Sequence, residues 1–299
     1  MKISPFTPLY FPGGEPNLSD GLESRYLQTW SQTDQIMVQI IATMNDNLPA
    51  VELQDAHTGA IISSIYCQQW QMNPNKKIYF FTLRGLSVGH YRIHINDYVG
   101  GSLNVTSDEF RVTDDAIALA KTTLIQYRFK DNKQREDVVP VIDLMPYFFD
   151  FRVPGGFKDG GWQFGVTNEQ FTTQREDVVE LFANDYTMKT FTMGGSQGVP
   201  VWYGEMLNRL LCCSYVYFNG DRYTRSDTEV PQINVLVDGL DSFVFTQVLR
   251  KAQVLDPTIE EANQIAIRRV LGSSGGTDFD ASRTTLNNND ESDNYVLLP

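Results

Sequence analysis

Short apolar runs separated by turn-forming residues make up the first third of the chain. The clearest run, Gly89–Asn96, alternates so that Tyr91, Ile93 and Ile95 fall on one face of a strand. About six or seven such runs with turn residues between them, among them residues 60–70 and 76–83, are typical of a β-sandwich. We therefore predict an immunoglobulin-like β-sandwich over residues 24–113, although the Cys–Trp–Cys pattern of antibody domains is absent.

The middle of the chain is also rich in strand-forming runs. Asn219-Gly220 lies between two aromatic, β-branched runs, which is the strongest short-range signal for a β-hairpin. Apolar residues at helical spacing in residues 201–213 predict an embedded helix. Glycines are frequent in residues 155–161, which we interpret as a mobile loop. Together these patterns predict a second β-rich domain, either a sandwich or a barrel, over residues 114–255.

The two ends of the chain differ in composition from the regions between them. Prolines near the start predict an extended arm over residues 1–23. A cap at Asp256 and a glycine at Gly272 predict a helix over residues 256–271. Residues 272–299 are polar and acidic, which predicts a flexible tail; its apolar end is either a docking segment or the end of a frayed tail. The predicted fold class is thus mainly β, with a sandwich, a second β-rich domain with an embedded helix, and a C-terminal helix.

Charge and hydropathy exclude several classes of protein. The chain of 299 residues has 37 acidic and 24 basic side chains and a formal charge of −13. Because an acidic surface repels a phosphate backbone, we predict no nucleic-acid partner. No apolar stretch approaches the roughly 18 residues of a membrane-spanning helix, and the N-terminus lacks the apolar core of a secretory signal. The three cysteines include no CxxC pair, which favours a reduced protein and excludes a zinc ribbon.

One motif matches a catalytic pattern. The sequence GGSQG at residues 194–198 fits the G-x-S-x-G nucleophile elbow and lies between a predicted strand and a predicted helix. A nucleophilic Ser196 would need a histidine base. The three histidines, His57, His90 and His94, all precede it, which is opposite to the order in α/β-hydrolases. The glycines also suit a simple tight turn, so a serine hydrolase is the less favoured alternative.

Other candidate residues have simpler structural explanations. His90 and His94 lie on one predicted strand with Cα atoms about 13 Å apart, too far to bind one metal ion together. Asp143 and Asp150 could form a carboxylate pair, but the sequence does not fix the separation that a glycosidase needs. We therefore predict no catalytic, cofactor-binding or metal-ligating residues and no cofactor.

Aromatic residues offer a further kind of binding surface. Trp162 and Trp202, with nearby tyrosines, are candidates for a carbohydrate-binding face. Aromatic clusters more often belong to a core or a protein interface. A carbohydrate- or receptor-binding module is accordingly the alternative function.

A six-residue sequence, QREDVV, occurs at residues 134–139 and again at residues 174–179. The two copies are either remnants of an internal duplication or two charged turns that lead into strands in the same way. Similarity does not extend convincingly beyond the six residues, which favours the second interpretation.

Several short segments resemble one family of proteins: tail-associated virion structural proteins of phages and prophages of Bacteroides-type gut bacteria. One of these segments also has the Leu-x-x-Gly-x-Tyr form that closes immunoglobulin-like modules. The segments are residues 3–6, 26–30, 34–36, 83–91, 123–127, 151–157 and 198–208, the last leading into the Asn219-Gly220 hairpin.

The resemblance implies a function in assembly. It implies a non-enzymatic, multi-copy subunit of a tail, collar or baseplate ring that contacts its neighbours through β-domains and terminal arms. The implied partners are further copies of the chain and other virion proteins, and a glycan on a host surface is a further candidate. The implied location is the tail region of the virion, after synthesis in the cytoplasm of the host bacterium.

Overall fold

The structure is a computed structural model, and it is mainly β. It describes residues 1–12, 26–98, 103–226, 232–235 and 242–252. The predicted C-terminal helix (256–271), the predicted tail (272–299) and residues 13–23 of the predicted N-terminal arm lie outside the described residues. Neither helix in the described ranges is long and apolar enough to cross a membrane.

Two sheets form the N-terminal part of the molecule. The strands of the first sheet are β1 (Lys2–Ile3), β3 (Ile36–Thr43), β6 (Gln68–Gln71) and β7 (Lys76–Leu83), in the spatial order β1–β3–β7–β6. The strands of the second are β2 (Gln28–Ser31), β4 (Ala50–Asp55), β5 (Ile61–Ile65), β8 (Gly89–Asn96), β9 (Asn104–Thr106) and β10 (Phe110–Thr113). Their order is β2–β10–β8–β4–β5, with β9 paired to β8. The β2–β10 pair is parallel, and the other pairs in both sheets are antiparallel.

The two sheets pack face to face around one buried cluster. Val38 and Ile40 of β3 and Phe81 of β7 share this cluster with Leu53 of β4 and Ile93 of β8. Successive strand residues point to opposite faces, so the alternation in the sequence supplies one apolar face for each sheet. The N-terminal part is therefore a two-layered β-structure, which we call the sandwich.

Two of the predicted strands of the sandwich are confirmed, and a third is wrong. The predicted strands at residues 76–83 and 89–96 coincide with β7 and β8. The run at residues 60–70 was expected to be one strand, but it forms β5 in one sheet and β6 in the other. Tyr66 and Cys67 lie between these two strands, where the backbone crosses from the second sheet to the first.

The start of the chain packs against its own sandwich. β1 pairs antiparallel with β3, and the Ser4 amide donates to the Gln39 carbonyl at 2.8 Å. Phe6 is buried, and its carbonyl accepts a hydrogen bond from Tyr127 Oη at 2.6 Å. The described part of the predicted N-terminal arm is thus an integral part of the fold.

A closed ring of six strands forms the second β-rich part. After the short helix α1 (Ala116–Ala120), its strands are β11 (Thr122–Arg128), β14 (Phe149–Thr172), β15 (Val178–Met193), β16 (Tyr215–Phe218), β17 (Asp221–Arg225) and β19 (Phe243–Lys251). Antiparallel pairing runs β14–β11–β16–β17–β19–β15 and returns to β14, which makes a barrel. β18 (Gln232–Val235) adds to β19, and β12 (Val141–Ile142) and β13 (Met145–Pro146) form a small separate hairpin.

Aromatic side chains fill the barrel. Phe157, Phe191, Phe218 and Tyr223 come from four different strands, and their contacting rings have centroids 4.7–5.7 Å apart. The predicted embedded helix is confirmed as α2 (Val201–Leu210), which packs against the same buried cluster. The predicted Asn219-Gly220 turn is also confirmed: it joins β16 to β17, with φ values of 50° and 89°.

The first sheet is buried on its second face as well, against the barrel. Met37, Ile78 and Phe80 belong to the same buried cluster as the barrel residues. Between them, the side chain of Gln39 donates to the Val139 carbonyl at 2.8 Å and accepts from the Val139 amide at 3.0 Å. Gln39 is fully buried, so these two bonds satisfy polar groups that water does not reach.

Replacement of Gln39 by alanine therefore leaves the buried N–H and C=O of Val139 without their partners. We expect Gln39→Ala to lower the free energy of unfolding by about 1–3 kcal/mol, measured by urea denaturation. The exposed Gln69 on β6 provides a matched control, and Gln69→Ala should change stability by less than about 0.5 kcal/mol. Equal effects of the two substitutions would contradict the assignment of Gln39 as a link between sandwich and barrel.

Candidate functional site

Strands β14 and β15 continue beyond the barrel as a two-stranded ribbon. β11 pairs with β14 only over residues 149–154, and β19 pairs with β15 only over residues 188–193. Among the described residues, the strand segments 164–172 and 178–187 therefore pair only with each other, while Trp162 and Gln163 pair with Lys189 and Met188 at the edge of the barrel. At about 3.3 Å per residue, this ribbon is about 33 Å long. We call residues 162–187 the arm.

The sequence of the arm suits a hairpin. Apolar and polar residues alternate from Trp162 through Phe164 to Val166, which is the strand period of two. At the tip, the Thr173 amide donates to the Asp177 carbonyl at 2.8 Å, and the Glu176 amide donates to the Thr173 carbonyl at 3.0 Å. These bonds close the turn between the two strands.

Aromatic contacts fix the base of the arm to the barrel. The ring of Tyr186 lies over Gly165 so closely that a Cβ at that position would be 2.4 Å from the ring. The guanidinium of Arg250, on β19, lies 4.5 Å from the centroid of the same ring. Across the pair, Lys189 Nζ lies 3.6 Å from the centroid of Trp162. Cation–π contacts of this kind favour one orientation of the arm.

Large apolar side chains are exposed on both faces of the arm. The pairing places Trp162, Phe164 and Val166 on one face and Phe171 and Phe182 on the other. Phe164 is 79% exposed and Phe171 58% exposed. Further exposed apolar residues of the arm are Val178, Val179 and Leu181. An isolated two-stranded ribbon is marginally stable in water, and a group of large exposed apolar side chains on one such ribbon is typical of a protein-binding surface.

The arm and the barrel wall carry opposite charges. Five acidic residues and one arginine give the arm a net charge of −4; they are Glu169, Arg175, Glu176, Asp177, Glu180 and Asp185. Strands β17 and β19 carry four cations and one acid, a net charge of +3; these are Asp221, Arg222, Arg225, Arg250 and Lys251. We call these two strands the basic wall. It is a cationic region in a chain whose total charge is −13.

Most of the arm was missed by the sequence analysis. The interpretation of residues 155–161 as a mobile loop is wrong, because they lie inside β14. The glycines instead serve an irregularity within the strand: Gly155 and Gly160 have φ values of 114° and 79°, and the register with β15 shifts between Phe157 and Trp162. The alternation that begins at Trp162 and the apolar run at residues 178–182 were the signals that could have identified the hairpin.

The two copies of the repeat occupy different environments. In the first copy, Val139 bonds Gln39, and Glu136 forms an ion pair with Lys76 at 2.5 Å between the two parts of the molecule. The second copy, residues 174–179, forms the tip of the arm and the start of β15. Equivalent sequences therefore make an internal contact in one place and an exposed turn in the other.

The structure places Ser196 in an exposed turn between β15 and α2, as predicted from the motif. Gly194 in this turn has φ 127°, and a Cβ there would lie 2.7 Å from the Phe243 carbonyl. The glycine thus allows the close approach at which Val199 and Phe243 pair. The three histidines lie on or beside the second sheet of the sandwich, in a different part of the fold.

The structure does not bring the two tryptophans into one platform. Trp162 lies on the arm and stacks with Phe164 at a centroid distance of 6.2 Å. Trp202 opens α2 and packs against the core, with Tyr10 at 5.4 Å and Tyr203 at 4.0 Å. Only Trp162 therefore belongs to an exposed aromatic pair.

The two carboxylates considered as a pair have contrasting environments. Asp143 is exposed in the turn between β12 and β13, whereas Asp150 is fully buried in β14. Asp150 accepts hydrogen bonds from the Gln35 amide and from Gln126 Nε2, both at 2.9 Å. Beside it, Arg152 binds Asp34 through two hydrogen bonds of 2.6 and 2.7 Å. This polar network joins the sandwich to the barrel.

Burial, together with the nearby Asp34 carboxylate, raises the pKa of Asp150 to about 7. The folded chain therefore keeps a proton on Asp150 at pH values where the unfolded chain has lost it. The resulting stabilisation is present below the ordinary pKa of aspartate and is lost as the pH rises through about 7.

The histidines form a cluster that the sequence analysis missed. His90 and His94 lie on β8, as predicted, but the ring next to His90 is that of His57, at a centroid distance of 4.7 Å. Glu109 lies beside His57 and His90, with its Oε1 atom 2.7 Å from His90 Nδ1. No local pattern shows this arrangement, because it depends on how β4, β8 and β10 pair.

The cysteines are free thiols in the structure. Burial raises the pKa of Cys67 to about 12 and raises that of Cys213 well above the usual range. Both thiols are therefore protonated at neutral pH, and Cys212 is the exposed one.

No protein-family model matches the chain, and no curated protein matches it. A proposal about the function therefore rests on the geometry of the described residues. Its most distinctive element is the arm, which combines exposed apolar faces, a net negative charge and fixed attachment to the barrel.

The raised pKa of Asp150 predicts a pH-dependent stability. Between about pH 5 and pH 8 the wild-type protein should lose about 2–3 kcal/mol of unfolding free energy that Asp150→Asn does not lose. The asparagine stays neutral, and a flipped Gln126 amide can keep the bond between the two side chains. Urea denaturation at several pH values measures the difference, with Asp143→Asn as the exposed control. Parallel pH profiles for wild type and Asp150→Asn would contradict the buried, neutral carboxyl.

Proposed function

We propose that the protein is a non-enzymatic structural subunit that assembles with further copies of itself through the arm. The observation that carries the proposal is the exposure of large apolar side chains on both faces of a ribbon about 33 Å long. A ribbon whose two faces are apolar gains stability when a neighbouring molecule covers them.

A second copy suits the arm because its charge and that of the basic wall are complementary. The arm carries −4 and the wall +3, so the two surfaces attract each other between copies. They are different surfaces of one chain, which makes the contact head-to-tail. Repeated head-to-tail contacts close into a ring or continue as a filament. This geometry supports the ring subunit that the resemblance to tail-associated virion proteins implies.

The sandwich supports the same proposal if it is an immunoglobulin-like module. Its sheet orders β1–β3–β7–β6 and β10–β8–β4 follow the A–B–E–D and G–F–C orders of that fold. Tyr91, near the start of β8, donates from Oη to the Ser87 carbonyl at 2.9 Å, as the tyrosine corner of such domains does. We therefore propose that the sandwich is of the immunoglobulin-like type. Within the proposal, it is a module of a tail, collar or baseplate subunit.

Substitutions on the arm test the assembly. We expect Phe164→Asp and Phe182→Asp, one on each face, to weaken self-association at least about tenfold, since each removes an exposed aromatic side chain that the proposed contact would bury. Sedimentation velocity and electron microscopy measure the association, and added salt should weaken it because part of it is electrostatic. Leu144→Asp is the control, because Leu144 is 93% exposed but lies outside the arm.

Two results would overturn the proposal. One is a wild-type protein that stays monomeric at every concentration and that mass spectrometry does not detect in purified virions. The other is assembly of both arm variants with the affinity of the wild type. Circular dichroism of each variant shows whether the fold is retained, so loss of assembly can be separated from unfolding.

A glycan-binding module is the second candidate, and one observation favours it. Trp162 and Phe164 are exposed and nearly parallel, with an interplanar angle of 17°, and such a pair could stack on a sugar ring. This function predicts binding on a glycan array that Trp162→Ala reduces at least about tenfold. The control is Tyr66→Ala, at an exposed aromatic residue of the sandwich. The other candidate tryptophan, Trp202, is unsuitable as a control because it packs in the core. Absence of any glycan signal for the wild type would rule this function out.

A further inference from the structure

We propose that His57, His90 and Glu109 bind one divalent transition-metal ion of the zinc type. One donor atom from each residue lies within 4.8 Å of the others. Imidazole nitrogens with a carboxylate oxygen are a donor set that suits zinc, nickel and copper. The proposal departs from the absence of metal ligands expected from the sequence, and it does not depend on the assembly proposed above.

Three separate elements hold the three donors. His57 lies in the turn between β4 and β5, where its amide and that of Thr58 donate to Asp55 Oδ1 at 3.1 and 2.7 Å. The amide of Ala56 donates to the His90 carbonyl at 3.1 Å, which ties this turn to β8. Glu109 directly precedes β10, the other neighbour of β8. The backbone therefore positions the donors whether or not an ion is bound.

Small side-chain movements bring the donors to the distances that an ion requires. Bonds of about 2.1 Å in tetrahedral geometry place donors about 3.4 Å apart. The Glu109 oxygen and His90 Nδ1, now 2.7 Å apart, would separate slightly, and the exposed His57 ring would move toward them. Three protein donors leave the fourth position of a tetrahedral site for water or for a donor from another molecule.

Two neighbouring residues make the proposal specific. Arg92 lies on the same strand with Nη2 at 3.7 Å from Glu109 Oε2, so its positive charge competes with a bound cation. His94, also on β8, bonds Thr106 Oγ1 through Nδ1 at 2.9 Å and stands about 13 Å along the strand from His90. Arg92 should weaken the binding of a metal ion at this site, and His94 should not contribute to it.

Calorimetric titration of the full chain with Zn²⁺ at about pH 7.5, where imidazole is mostly neutral, tests the site. We expect one ion per chain, with affinity lowered at least about tenfold in His57→Ala, His90→Ala and Glu109→Gln. Arg92→Gln should bind more tightly than the wild type, because it removes the competing charge. His94→Ala should bind as the wild type does.

Electron paramagnetic resonance with Cu²⁺ gives a second readout. Coupling to two nitrogens is expected in the wild type and to one nitrogen in His57→Ala, which replaces an exposed side chain. The proposal is overturned if Zn²⁺ does not bind stoichiometrically. It is also overturned if His94→Ala loses as much affinity as His90→Ala, since binding would then be a nonspecific property of exposed histidines.

Discussion

Burial of the first sheet on both faces is the constraint on which the rest of the molecule depends. Val38 and Ile40 face the second sheet of the sandwich, and Met37 faces the barrel. The polar residue Gln39 lies between them. Because its side chain is buried, it needs hydrogen-bond partners, and the backbone of Val139 supplies them. The sandwich and barrel are therefore joined by a buried cluster that the outer face of the first sheet shares with the barrel. The arm consists of two barrel strands that continue outward, so its direction is set by the same core.

Among the described residues, the arm carries eight of the nineteen exposed large apolar side chains. The central strands of the sandwich and barrel hide one or both faces, but in the arm both faces remain exposed. The acidic side chains of the arm keep it soluble and oppose pairing between two arms, because like charges repel. In the proposed assembly, they would favour contact with the basic wall of another copy. Attachment through Tyr186 and Arg250 reduces the entropy that binding would cost.

Local patterns in the sequence predicted the elements whose formation depends on neighbouring residues. The strand β8, the helix α2 and the Asn219-Gly220 turn belong to this group, since alternation, helical spacing and positive φ are all local properties. The arm was missed because the glycines of residues 155–161 resembled a loop. The cluster of His57, His90 and Glu109 could not be found, because strand pairing brings together residues that are distant in sequence.

Amide hydrogen exchange tests the central claim, that the arm is a contact between copies. If a second copy covers the arm, amides in residues 162–172 and 178–187 should exchange slowly at high protein concentration and much faster after dilution. Amides of β11, paired on both sides within the barrel, should remain slow at either concentration and serve as the internal reference. Fast exchange of the arm at every concentration, with β11 still protected, would contradict the account.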